Sequence, residues 1–161
     1  MTPDTFTTQT LATWRSHNAI NLFLLGKIPA AGFRAVPPRS RGRTIAAQFV
    51  HMNRNRIGWL QYHRTGKRPN LPPAKDATPT RTQLKKEFKA SGKLVEVFLR
   101  EALQGNATTR AFSGNPVRWM GYLIAHESHH RGAIMLTLKQ NGLRIPESET
   151  IKGLWGKWMW G

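Results

Sequence analysis

Asn115-Pro116-Val117-Arg118-Trp119-Met120-Gly121-Tyr122-Leu123-Ile124-Ala125-His126-Glu127-Ser128-His129-His130-Arg131-Gly132 is the stretch on which the fold turns. Asn followed by Pro opens a helix. The Asn oxygen caps free N–H groups, and Pro suits the first helical position because its missing N–H would lack a partner there. No further proline intervenes before Pro146, and Asn141-Gly142 supplies a stop. With His126 set at zero on a wheel of about 100° per residue, Trp119, His130, Leu123 and Ile134 fall at about 20°, 40°, 60° and 80°. His126 and His130 therefore lie inside the apolar stripe, one turn apart, whereas His129 falls on its flank at about −60°.

Proline marks out the rest of the chain in the same way, because it is nearly excluded from helix interiors. The ten prolines leave four long free windows, 4–28, 39–68, 80–115 and 117–145. The first three hold apolar residues at helical spacing: Leu11, Trp14, Leu22 and Leu25; Ile45, Phe49, Met52 and Trp59; Leu84, Phe88, Val95 and Leu99. Thr80 and Gln83 have capping-box spacing, and Gly66 and Gly105 are stops. No alternating strand pattern is present. The expectation is an all-α four-helix bundle with short connections, one domain over residues 1–161, and loops at 32–43 and 65–79. The tail, 147–161, concentrates Leu154, Trp155, Trp158, Met159 and Trp160. It reads as a segment folded back on the bundle, with a lid over a pocket or a dimer contact as alternatives.

The 161 residues carry 25 Lys and Arg against 8 Asp and Glu, a net charge of +17, with 39% hydrophobic residues and no cysteine. That apolar share is too high for a disordered polybasic tail. No apolar run approaches the ~18 residues of a membrane span, and residues 1–10 lack a secretory pattern, so no membrane and a cytoplasmic location are expected. The lack of cysteine excludes disulfide scaffolds, thiolate zinc sites and cysteine nucleophiles. The charge raises nucleic-acid binding as an alternative. The basic residues are spread along the chain, however, densest at Arg39, Arg41 and Arg43, and no nucleic-acid motif accompanies them. The same field would gather an anionic small molecule.

His51 stands in the second window, with Gln48 and Asn55 at about 60° and 40° from it, a polar strip beside an apolar face. Three imidazoles from two helices could then meet in the bundle. Two neutral imidazoles on a buried face leave nitrogens that need partners, at ~1–3 kcal/mol for each orphan, and a metal satisfies both. A pair four residues apart plus a third His makes a site with open positions. Glu127, at about 100°, is the candidate catalytic group, with an ordinary pair to Arg131 as the alternative. Gln48 and Asn55 are candidates for cofactor contact, and Trp59 and Tyr62 read as core.

His126-Glu127-Ser128-His129-His130 also matches the HExxH pattern of zinc metallopeptidases. The third ligand of that class and the upstream sheet are both missing from the pattern, which makes it the weaker alternative. Far more of the chain resembles the DinB-like (DinB/YfiT) four-helix family. The likeness is carried by Gly42-Arg43-Thr44-Ile45-Ala46-Ala47-Gln48-Phe49-Val50-His51, by Trp59-Leu60, and by the stretch from Trp119 to Gly132. The family's single histidine in the second helix and its HxxxHRGQ string map onto His51, His126 and His130. Ala133 stands where the family often has Gln. The resemblance implies a divalent metal, zinc or nickel, on those three histidines, and a metal-dependent enzyme activating a low-molecular-weight thiol (S-transferase type) or water. It also implies a small-molecule partner and a homodimer. A metal-binding protein without catalysis is the remaining alternative.

Overall fold

The computed structural model describes residues 3–69, 71 and 79–160. Four long helices form where proline permits: α1 (Pro3–Lys27), α2 (Ile45–Thr65), α3 (Arg81–Leu103) and α4 (Pro116–Gln140). Their ends follow cap chemistry. Thr44 accepts from the Ala47 N–H, and Gly66, at φ 72, closes α2 in the left-handed conformation. Thr80 and Gln83 form a reciprocal capping box at the start of α3. Asn115 accepts from the N–H groups of Val117 and Arg118, ahead of Pro116. Among the described residues there is no strand, and no helix is long and apolar enough to cross a membrane.

α1 packs on α3 and α4, and α2 packs on the same two helices. Successive helices α1 and α2 are thus not each other's main neighbours, and the connection between them, 28–44, is long rather than short. It holds a 3₁₀ turn, Ala30–Arg34, that buries Phe33 in the core, so the expected loop begins with ordered structure. Most of the second expected loop lies outside the described residues. α1 and α3 come close at Gly92, where a Cβ would collide with the side chain of Asn18.

The core falls into two apolar clusters. One gathers Leu25, Ile28, Phe49, Met52, Phe88 and Ile134, and the other Leu11, Trp14, Leu60, Phe98, Trp119 and Leu123. Each such side chain contributes about 1.5–3 kcal/mol on burial. On every helix a buried polar residue sits between the two sets: His17 and Asn21 on α1, Arg56 on α2, Ser91 on α3 and Glu127 on α4. The bundle is therefore apolar at both ends of its core and polar across its waist.

The tail folds back on α1, as its composition suggests. Short helices α5 (Glu147–Thr150) and α6 (Gly156–Met159) flank a π-helical turn, Ile151–Trp155. Gly153 lies directly on Phe23, where a Cβ would stand 2.0 Å from the ring. Glu149 pairs with Lys27 at 2.8 Å. Trp155, Met159 and Trp160 nevertheless remain exposed.

His63 is enclosed in the second cluster, stacked on Phe98 with centroids 5.2 Å apart and met edge-on by Trp119 at 4.8 Å. Its Nδ1 accepts from the Arg110 N–H. Burial, aided by the charge of Arg110, lowers its pKa to about 4. The unfolded chain then takes up the proton first, so this stabilisation is complete above about pH 6.5 and is lost as pH falls toward about 4. In denaturant titrations between these pH values, His63→Phe is expected to lose less stability on acidification than the parent chain. Equal losses would show that His63 is not a source of the acid sensitivity.

Candidate metal centre

His51 on α2 and His126 and His130 on α4 each offer a ring nitrogen, and these nitrogens lie within 4.8 Å of one another. Nε2 of His126 faces Nε2 of His51 at 3.2 Å. His130 closes the group, its centroid 4.7 Å from that of His126 and 4.9 Å from that of His51. Two facing imidazole nitrogens repel through their lone pairs unless a proton or a cation lies between them. His129, the flank residue, meets His130 edge-on at 5.4 Å and stands outside the three-nitrogen group.

Side-chain amides stand behind two of the rings. Oε1 of Gln48 is 3.3 Å from Nδ1 of His130, and Nδ2 of Asn55 is 3.4 Å from Nδ1 of His126. The Tyr122 hydroxyl donates to Oδ1 of Asn55. Groups at the second nitrogen orient a ring. With the Asn55 N–H at Nδ1 of His126, the proton of that ring lies on Nε2, toward His51. A metal on Nε2 requires the Asn55 amide turned over, its oxygen accepting from Nδ1–H. Burial lowers the pKa of all three histidines. Arg43, His126 and Arg54 add to the effect at His51, and the neighbouring histidines with Arg43 bring His130 to about 4. The rings are therefore neutral at pH 7, the form that coordinates metals. Three neutral nitrogen donors fit a divalent first-row ion and leave open positions.

Glu127 is wholly buried, and its oxygens turn to a different set of partners. Arg56 donates from Nε to Oε1 and from Nη2 to Oε2, both at 2.7 Å. Asn21 Nδ2 donates to Oε2 at 2.6 Å, and His17 Nε2 lies 2.8 Å from the same oxygen. Burial alone would raise this carboxyl, but the charge and hydrogen bonds of Arg56, with His17, hold it at about 2. His17 itself stays below its ordinary value because burial outweighs its bond to Glu127. The contact is thus a neutral imidazole donating to a carboxylate. Arg56 lies between aromatic rings, 4.9 Å from the Trp14 centroid and 4.6 Å from that of Phe88. Arg131, the alternative partner of Glu127, instead donates to Asn21 and Ser128.

A cavity of about 490 Å³ opens near the triad. None of the three histidines lines it, but Asn55 and Tyr122, which both touch His126, form part of its wall, and Arg54, Trp59, Tyr62 and Arg68 supply further walls. Trp59 and Tyr62 thus line a cavity as well as packing inward. Arg54 and Arg68 carry no motif that would single them out in sequence. His17 and Asn21 could have been found: like His126 and His130, they sit four residues apart on the apolar stripe of their helix.

The DinB family model matches residues 1–157, all four helices and most of the tail. The chain belongs to the DinB family. No curated protein matches it. In this DinB chain the HExxH pattern does not give a peptidase arrangement, because Glu127 bonds into the core and no strand is found among the described residues.

Glu127→Gln would leave the buried guanidinium of Arg56, and the half-buried one of Arg131, without a counter-charge. Loss of one partner of such a pair costs about 3–5 kcal/mol, and a drop of that size is expected in equilibrium unfolding. A change below about 1 kcal/mol would show the network to be dispensable.

Proposed function

We propose that this DinB-family chain binds one divalent metal ion, zinc or nickel, through His51, His126 and His130, and that it is an enzyme activating a small thiol, or water, at that site. The supporting observation is the convergence of three neutral imidazoles beside a cavity large enough for a small molecule. When bound, the ion would acidify a thiol or water next to it.

The chain's own residues supply binding and orientation. Gln48 and Asn55 hold the outer nitrogens of His130 and His126. Arg54 and Arg68 bring positive charge to the cavity, and Trp59, Tyr62 and Tyr122 give it aromatic walls. Such a lining suits a small, anionic, partly apolar substrate. The chain has no cysteine, so a reacting thiol must come from solution.

Elemental analysis of the purified protein is expected to give about one zinc or nickel per chain, reduced to background in His126→Ala/His130→Ala. A wild type that folds normally and takes up no metal would refute the site. With metal bound, a panel of small thiols and a fluorogenic electrophile should give turnover that chelation removes. Binding without turnover on any thiol, and without hydrolysis of activated esters, would leave a metal-binding protein and refute the enzymatic half of the proposal.

A further inference from the structure

A second cleft lies on the other side of α4. On the helical wheel Arg131 and Gly132 fall at about 140° and 240°, against about 0° and 40° for His126 and His130. Ile20, Met135, Leu154, Trp155 and Trp158 wall a space of about 420 Å³, and Arg131 is its charged member. Trp155 is 63% exposed and Trp158 38%. Indole surface left open in this way favours an apolar occupant.

The charge at this cleft is unbalanced. The waist of the bundle buries the guanidinium of Arg56 and holds that of Arg131 at its edge, with one carboxylate, Glu127, between them. His17 is kept neutral by its burial. Arg56 occupies both oxygens of Glu127, so the surplus positive charge rests on Arg131. Arg131 spends Nη1 on Asn21 Oδ1 at 2.8 Å and His17 Nδ1 at 3.4 Å, and one Nη2 hydrogen on Ser128 Oγ at 2.6 Å. A guanidinium has five N–H donors, so two remain, Nε–H and the second Nη2–H. A planar carboxylate matches that fork.

The geometry points to a ligand site in this cleft for an aromatic carboxylate, its ring against Trp155 and Trp158 and its carboxylate on Arg131. The site is separate from the histidine triad, with α4 between them, and needs no metal. An anion there neutralises the surplus charge and covers the exposed indoles. A second copy of the chain would bring another +17 to the same place, which makes a small anion the better occupant.

Calorimetry with 2-naphthoate and its neutral isostere 2-naphthamide tests this on the full chain, as isolated and after zinc addition. Naphthoate is expected to bind saturably, once per chain, at least tenfold more tightly than the amide and equally with or without zinc. Apart from its chain neighbours and the backbone of its own helix, nothing lies within 4 Å of where a Gly132 Cβ would stand. Gly132→Phe is therefore expected to keep the circular dichroism spectrum and to abolish binding by filling the cleft. Trp155→Ala, at an exposed position, should weaken binding several-fold. Four results would each overturn the site: no saturable binding, equal affinity for acid and amide, binding that requires zinc, or binding that survives Gly132→Phe. So would sedimentation showing a dimer that Trp155→Ala dissolves and that takes up no naphthoate.

Discussion

The pairing of Arg56 with Glu127 governs how the four helices face one another. Removing both charges from water costs several kcal/mol per ion, and the cost is offset only because nearly every donor and acceptor is used. Arg56 reaches Asn18, Ser91 and the Phe88 carbonyl besides the carboxylate, so a single side chain of α2 touches α1, α3 and α4. The apolar clusters above and below are held by non-directional contacts, which tolerate rotation and slippage. The bidentate pair is directional and does not. It fixes the rotation of α4 about its own axis, and that rotation aims His126 and His130 at His51.

Much of this arrangement was legible in the sequence. Proline spacing and cap residues located all four long helices, and the wheel angles of His126 and His130 placed them together on the face of α4 that meets α2, His130 buried and His126 half-buried at its edge. The partnerships across the polar waist were not legible. The wheel sets Arg56 among Ile45, Met52 and Phe49 and sets Glu127 beside Ile134, so both charges fall on apolar stripes, but the bond that joins them spans 71 residues. Glu127 has an Arg four residues ahead at the usual pairing distance. Only the packed structure shows that Arg56 takes the carboxylate, because its rigid fork is delivered between Trp14 and Phe88 from the neighbouring helix. The connection 28–44 is longer than the expected short link for a related reason, since local sequence does not say whether consecutive helices become neighbours.

Few acids are available to offset the basic residues. Glu96 meets Arg15, Lys93 and Arg100, and Glu101 meets Arg64, all as surface pairs of small worth. The imbalance continues inward, where two guanidiniums share one carboxylate. Positive charge therefore borders both faces of α4, Arg43 and Arg54 near the triad and Arg131 at the tail cleft. Anionic small molecules are the natural counterpart of such a distribution.

The triad has a mechanical meaning as well. His51 and His126 are 75 positions apart in the chain, so an ion gripped by both would join distant points of a polypeptide that has no cysteine with which to do so. A bridge of that span restricts the unfolded chain much as a covalent cross-link does, by shrinking the number of shapes available once the helices separate. Unlike a disulfide, it would respond to the supply of metal rather than to redox conditions. Occupancy and thermal resistance would then rise and fall together.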